Sequence, residues 1–155
     1  MIPVQRLNHA VLYVRDAAAS ARWYSELFGF EIITELPGAA FLRAAGTDNH
    51  HDLGLFSVGA GAPGPERGRG RVGLYHLAWQ VGSVRDLVVA RNALRDRGAY
   101  AGESDHGATK SIYGHDPDGN EFEIMWIVPR DQWGSYDHEA VIEHLDLDAE
   151  VARFG

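Results

Sequence analysis

Apolar and polar positions alternate along two short stretches of the chain that resemble each other. The first stretch is residues 7–14 and the second is residues 74–81, where Leu, His and the final Val recur at an offset of 67 residues (76 − 9 = 67). Strict alternation is typical of a half-buried β-strand, so we predict a strand in both places. The recurrence indicates an internal duplication.

Each predicted strand is followed by a helical pattern and then by three short alternating segments. Helices are predicted over residues 17–28 and 84–97, and Gly29 and Gly98 follow them, where a glycine commonly ends a helix in the left-handed conformation. The other strands are predicted over residues 30–35, 39–44 and 52–58 in the first half and over residues 99–103, 109–115 and 121–128 in the second half. The pattern therefore predicts an α+β protein made of two β-α-β-β-β modules.

The length of 155 residues suits one domain with a real core, so we expect a single domain over residues 1–155. Module one spans about residues 5–58 and module two spans residues 73–128. A Gly/Pro/Arg-rich linker without periodicity occupies residues 59–72. Residues 129–155 are acidic, and we expect a surface tail with one short helix there.

Three of the predicted strands carry candidate metal ligands. Successive side chains of a strand point to opposite faces, and one face of each of these strands is apolar and suited to packing on a helix. The opposite face carries His9 in the first strand, His76 in the matching strand and Glu123 in the last strand. A buried carboxylate without a partner is costly, so a bound cation would explain Glu123.

Two imidazoles and one carboxylate form the set that holds Fe(II) in non-haem enzymes and leaves positions open for substrate and oxygen. A single His on a strand is more often a hydrogen-bonded structural residue than a ligand. Here both histidines occupy the same place in a duplicated unit, and duplication symmetry would bring them together. We therefore predict that His9, His76 and Glu123 bind a metal ion.

Composition limits the class of protein. Hydrophobic residues make up 45% and charged residues 23%, as in a soluble globular protein, and no apolar run is long enough to span a membrane. Cysteine is absent, so a metal must use His and carboxylates. The formal net charge of −8 argues against nucleic acid as a partner. The first residues do not resemble a signal peptide, so we expect a cytoplasmic protein.

The duplicated unit, with His9, His76 and Glu123 so placed, resembles the vicinal oxygen chelate superfamily over roughly residues 5–128. This superfamily includes glyoxalase I, type I extradiol dioxygenases, fosfomycin-resistance enzymes and bleomycin-binding proteins. The resemblance implies that the two modules pair and form a curved, incompletely closed barrel-like sheet around the metal site.

The second half is also similar to the signature of extradiol ring-cleaving dioxygenases. That signature reads here as His106, Ile112-Tyr113, Asp116-Pro117, Gly119 and Glu123. Ser104 departs from it, since the signature prefers Gly, Asn, Thr or a β-branched aliphatic residue at this position. Ring cleavage needs acid–base help, because a catechol loses protons when it binds a metal, and the resemblance implies that His106 and Tyr113 give this help.

The resemblance implies an Fe(II)-dependent, catechol 2,3-dioxygenase-like extradiol dioxygenase that opens a small aromatic diol with dioxygen. Mn, Ni and Zn are the alternative metals. One alternative function is a glyoxalase I-like lyase or isomerase with four protein ligands, for which Asp52 would be the extra carboxylate. Another is a non-enzymatic protein that binds an antibiotic. Proteins of this kind commonly cover their sheet edges by pairing, so we expect a homodimer.

Five further histidines have an interpretation from the sequence alone. His50 and His51 precede the last predicted strand of module one, and they are interpreted either as groups next to the site or as solvated loop residues. His115, His138 and His144 are interpreted as surface residues.

Overall fold

The structure, a computed structural model, describes residues 1–65 and 72–155. It divides into two compact units, Met1–Gly64 and Pro65–Gly155, called here the N-terminal and the C-terminal unit. The predicted linker over residues 59–72 lies in part outside the described residues, at positions 66–71. Within the described ranges, no helix is long and apolar enough to cross a bilayer.

The N-terminal unit has the predicted β-α-β-β-β order. Its elements are β1 (Ala10–Val14), α1 (Ala17–Phe28), β2 (Glu31–Leu36), β3 (Ala39–Arg43) and β4 (Leu53–Ser57). The strands form one mixed sheet in the order β1-β4-β3-β2, in which β1 runs parallel to β4. The carboxylate of Asp16 caps the start of α1 by accepting a hydrogen bond from the Ala19 amide, and Gly29 ends the helix with φ = 68°.

The C-terminal unit repeats this order. Its elements are β5 (Leu77–Gln80), α2 (Val84–Asp96), β6 (Tyr100–Asp105), β7 (Thr109–His115) and β8 (Glu121–Ile127). The sheet order is β5-β8-β7-β6, with β5 parallel to β8. Ser83 and Asp86 form a capping box at the start of α2. Both predicted modules, and with them the α+β class, are confirmed.

The two strands that follow the histidines are shorter than predicted. They begin at Ala10 and Leu77, so His9 and His76 each lie one residue before a strand. The ladder of β1 starts there because its parallel partner also starts late: Ala10 pairs with Leu53, the first residue of β4. In the C-terminal unit, Leu77 pairs with Phe122, the second residue of β8.

The predicted apolar faces of the strands build the cores of the two units. Leu12 and Val14 of β1 are buried, and so are Phe122, Ile124 and Trp126 of β8. These residues alternate with the exposed or half-buried side chains of the opposite face. The apolar face of each sheet packs on its helix, so the opposite face is free to carry the polar residues.

Residues 129–155 are more than a surface tail. They include α3 (Leu147–Phe154), which confirms the predicted short helix and packs on α2. Leu145 is 2% exposed, and the backbone of Glu143 pairs with Asp105 at the end of β6. The expectation of a surface tail was wrong in this respect, because apolar side chains between the acidic residues complete the core of the C-terminal unit.

Leu145→Ala is expected to lower the free energy of unfolding by about 2–5 kcal/mol, because it removes a buried side chain and leaves a cavity. Urea denaturation followed by circular dichroism measures this change. Ile142→Ala is the matched control, since Ile142 lies in the same segment but is 82% exposed. Equal stability of the two variants would contradict the packing of this segment on the C-terminal unit.

Candidate metal and acid–base site

The turn before β8 sets the register of the strand that carries Glu123. Asp116 Oδ1 accepts hydrogen bonds from the backbone N–H groups of Asp118 and Asn120. Gly119 has φ = 93°, a left-handed conformation that favours glycine. A slip of one residue would move Glu123 to the helix-facing side of the sheet, so this turn is part of the site.

His76 and Glu123 lie next to each other in the C-terminal unit. His76 Nε2 is 3.0 Å from Glu123 Oε2, and the two side chains are 24% and 12% exposed. The hydroxyl of Ser111 donates a hydrogen bond to the other carboxylate oxygen, Oε1. Two donors that each lie about 2.1 Å from a metal ion, roughly at right angles, are about 3.0 Å apart. The pair therefore fits two adjacent ligand positions.

The third predicted ligand, His9, belongs to the N-terminal unit. It is exposed, and its Nδ1 is 2.9 Å from the side-chain oxygen of Asn8. Among residues 1–65 and 72–155 there is no group of three or more His, Asp or Glu side chains that could hold a metal ion. The structure thus brings two of the three predicted ligands together, and the role of His9 stays a prediction.

His106 and Tyr113 form a hydrogen-bonded pair. His106 Nε2 is 2.7 Å from the Tyr113 hydroxyl, and His106 Nδ1 is 2.9 Å from the carbonyl oxygen of Val141. A carbonyl oxygen only accepts, so in the neutral ring Nδ1 carries the proton and Nε2 accepts one from Tyr113. Burial, followed by the charge of Glu123, raises the pKa of Tyr113 to about 12, so the phenol is protonated at neutral pH.

Tyr113 connects the two pairs. It lies opposite Glu123 in the antiparallel ladder of β7 and β8, and its ring centroid is 5.7 Å from that of His76. Four of the five predicted site residues therefore form one contiguous set in the C-terminal unit.

Three further polar residues lie on this face. Ser111 and His115 flank Tyr113 at alternate positions of β7, and Glu121, which alternation had already placed on the face of Glu123, is two residues before it on β8. The sequence interpretation missed Ser111 and His115. His115, interpreted as a surface residue, is only 25% exposed, and its Nε2 is 3.5 Å from Glu121 Oε2. The strand alternation could have identified both, because residues two positions from a site residue share its face.

Asp52, the candidate fourth ligand of a glyoxalase-like enzyme, has a structural role in the N-terminal unit. It is buried. Its Oδ1 accepts a hydrogen bond of 2.7 Å from the Asn49 side chain, and its Oδ2 accepts one of 2.8 Å from the Ala44 amide. Both carboxylate oxygens thus hold the loop before β4 in place.

The sheet registers identify the position in module one that corresponds to Glu123. Ala78, two residues after His76, pairs with Glu123, and Val11, two residues after His9, pairs with Gly54. Gly54 therefore occupies the equivalent place on β4. It has no side chain that could ligate a metal, which argues against a fourth protein ligand at this position.

His51 lies beside His9 in the N-terminal unit. The two ring centroids are 4.5 Å apart, and His50 Nδ1 is 3.1 Å from His51 Nδ1. Desolvation, followed by the charges of His9 and His50, lowers the pKa of His51, which favours the neutral ring. His50 and His51 had been interpreted either as groups next to the site or as solvated loop residues. His51 is a neighbour of the predicted ligand His9, whereas His50 is an exposed loop residue.

Comparisons with known proteins identify the family of the chain. The model of the Glyoxalase/Bleomycin resistance protein/Dioxygenase superfamily matches residues 6–124. The chain is 36% identical over 129 residues to biphenyl-2,3-diol 1,2-dioxygenase 3 of Rhodococcus globerulus, which covers 81% of this chain and 65% of that protein. It is 30% identical over 128 residues to the catechol-2,3-dioxygenase of Bacillus subtilis (strain 168), which covers 82% of this chain and 43% of that protein. The chain thus spans less than two thirds of the length of these relatives.

Solved structures with a similar fold belong to proteins that are named for different functions. A glyoxylase/bleomycin resistance protein/dioxygenase domain from Frankia sp. EAN1pec gives a TM-score of 0.64 at 24% identity, covering 81% of this chain and 99% of that one. The fosfomycin resistance protein FosX of Listeria monocytogenes, complexed with Mn(II) and sulfate, gives 0.65 at 20% identity, covering 86% and 98%. At these identities the likeness shows the fold alone.

Proposed function

The chain belongs to the Glyoxalase/Bleomycin resistance protein/Dioxygenase superfamily, and from this premise we propose that it is a metal-dependent extradiol dioxygenase that opens a catechol-type ring with dioxygen. The relatives named as biphenyl-2,3-diol and catechol dioxygenases support the reaction and the class of substrate. The observation that carries the proposal is the contiguous set of His76, Glu123, Tyr113 and His106.

The proposed ligands are His9, His76 and Glu123, and the proposed metal is Fe(II), with Mn(II), Ni(II) and Zn(II) as alternatives. Such a metal, when bound, would supply a Lewis acid with positions for both oxygens of a catechol and for dioxygen. One carboxylate leaves a net charge of +1 on a divalent ion, which favours an anionic catecholate as the substrate.

His106 and Tyr113 are the proposed acid–base pair. A catechol that binds as an anion must release a proton, and an imidazole close to the ligands is the suitable acceptor. Once His106 has accepted a proton on Nε2, it donates to the Tyr113 oxygen, and the O–H of the protonated phenol is then free to donate to a substrate oxygen. His51, whose ring centroid is 4.5 Å from that of His9, is a second candidate for the proton acceptor.

The proposal is tested by purifying the protein without oxygen, loading it with Fe(II) and adding catechol or 2,3-dihydroxybiphenyl in the presence of air. A yellow ring-opened product and consumption of oxygen in equal amounts are expected. The proposal is wrong if the iron-loaded protein cleaves no catechol but isomerises a hemithioacetal.

Asp52→Ala separates the dioxygenase from the glyoxalase-like alternative. We expect unchanged metal content and a free energy of unfolding about 1–3 kcal/mol lower, because the Asn49 and Ala44 N–H groups lose their buried acceptor. Metal analysis and urea denaturation measure the two effects. Loss of the metal from a folded variant would instead indicate a four-ligand site.

A homodimer in the cytoplasm completes the proposal. Each sheet ends in edge strands, such as β2 in the N-terminal unit and β5 in the C-terminal unit, and exposed edges favour pairing with another chain. Light scattering at assay concentration is expected to give the mass of two chains. A monomeric mass would contradict this part of the proposal.

A further inference from the structure

The proposed metal site uses Nε2 of His76 and assigns no role to the other ring nitrogen, Nδ1. Nε2 faces Glu123, whereas Nδ1 is buried and forms no hydrogen bond with any residue of the described ranges. The carboxylate oxygen Oε1 of Glu121 lies 3.6 Å from this Nδ1, just beyond hydrogen-bonding distance. The rings of Tyr75 and Tyr113 pack near the His76 ring, with centroids 4.7 Å and 5.7 Å away.

Ligation through Nε2 decides where the proton of this ring must lie. A metal takes the lone pair of a neutral imidazole, so His76 can ligate through Nε2 only as the tautomer that carries its proton on Nδ1. A buried N–H group without an acceptor costs about 1–3 kcal/mol. The tautomer that binds metal therefore needs an acceptor at the position that Glu121 occupies.

The other side of Glu121 faces His115. On β8 it is two residues from Glu123, so both carboxylates lie on the same face of the sheet. It pairs with His115 across the β7–β8 ladder, and His115 Nε2 is 3.5 Å from Glu121 Oε2. One oxygen of the carboxylate thus faces His115 and the other faces His76.

We propose that Glu121 is a positioning residue that accepts the Nδ1–H of His76 when Nε2 binds the metal, and that His115 orients this carboxylate. The inference rests on the proposed metal site and adds a residue that is not a ligand. A carboxylate behind a ligating histidine fixes its tautomer and its ring orientation and makes it a stronger ligand. Loss of such a partner typically weakens metal binding about 10–100-fold.

The test measures the dissociation constant for Fe(II) by anaerobic equilibrium dialysis. Glu121→Ala is expected to weaken Fe(II) binding about 10–100-fold. Glu121→Gln should recover much of this loss, because an amide oxygen still accepts a hydrogen bond. Glu139→Gln is the control, since it removes one negative charge at an exposed position of the same unit and should leave the constant unchanged. Circular dichroism verifies that each variant is folded, and Glu121→Leu, which also lacks an acceptor, replaces the Ala variant if that variant is not.

The tautomer itself is measured by ¹⁵N NMR on the protein loaded with diamagnetic Zn(II). The wild type should show His76 protonated on Nδ1, with a proton that exchanges slowly, and Glu121→Ala should show faster exchange. Glu121→Ala with the dissociation constant of the wild type, or equal weakening in Glu121→Ala and Glu139→Gln, would overturn the proposal. So would a wild type that binds neither Fe(II) nor Zn(II).

The two proposals can fail separately. If the variants weaken Fe(II) binding in the expected order but the wild type leaves every catechol intact, Glu121 keeps its role and the dioxygenase proposal fails. If the wild type cleaves catechol and Glu121→Ala binds Fe(II) as tightly as the wild type does, the role of Glu121 alone is rejected.

Discussion

Glu123→Ala is expected to abolish stoichiometric metal binding and, with it, all measurable ring cleavage, while the fold persists. The carboxylate contacts His76 and Ser111 on the polar face of the sheet, and it takes no part in the apolar core. Its removal leaves the proposed site with imidazoles alone. Metal analysis after anaerobic loading, oxygen consumption and circular dichroism measure the three effects.

Phe122→Ala is the matched control for this result, because Phe122 is the neighbour of Glu123 on the opposite, buried face of β8. It should lower the free energy of unfolding by about 3–5 kcal/mol through loss of packing. The folded fraction of that variant should still bind metal. His76→Ala should behave as Glu123→Ala does. Full metal occupancy in the Glu123 variant would show that another carboxylate, with Glu121 the nearest along the strand, is the ligand.

Local signals in the sequence were sufficient for most of the fold. The first helix lies where its pattern predicts it, because Gly29 in the left-handed conformation ends it. Strand β1 begins later than predicted, because alternation continues into residues 7–9 although β4 begins only at Leu53. Pairing of strands that are distant in sequence determines such boundaries, and a single segment does not reveal them.

For the site, too, some features could be predicted from a local pattern, whereas others depend on pairing with distant segments. Parity along β8 predicted the face of Glu123 correctly. The signature named His106 and Tyr113 without indicating that they form a hydrogen bond, and their acid–base role stays a prediction. The neighbours of Glu121 depend on the register of the β7–β8 ladder, which places His115 opposite it. His115 is therefore half-buried, although the sequence interpretation expected a surface residue.

Contacts from the C-terminal segment were also beyond the reach of a local pattern. The carbonyl of Val141 reaches His106 across 35 positions of sequence, and no motif in residues 129–155 indicates it. Leu145 is buried two residues after Glu143, whose backbone pairs with the distant Asp105. The role of His9 beside His76 and Glu123 stays a prediction.

His106→Ala is expected to lower the turnover of catechol about 10²–10⁴-fold while the bound iron stays stoichiometric. The reason is geometric, because His106 bonds to Tyr113 and to the Val141 carbonyl, and neither contact is with a proposed ligand. Single-turnover kinetics and metal analysis on the same sample measure both quantities. Tyr113→Phe is the companion variant, since it keeps the ring but removes the hydroxyl that donates to His106.

The pH dependence of the turnover rate tests the role of Tyr113. Burial and the charge of Glu123 raise the pKa of Tyr113, so the phenol stays protonated near neutral pH, where its ionisation cannot cause a loss of activity. Tyr113→Phe should therefore lower the rate by the same factor from pH 6 to pH 8. His51→Ala provides the comparison for the proton acceptor, because His51 contacts His9 in the N-terminal unit. If His51→Ala abolishes turnover and His106→Ala leaves it intact, the acceptor is His51, and His106 acts only by holding the phenol of Tyr113.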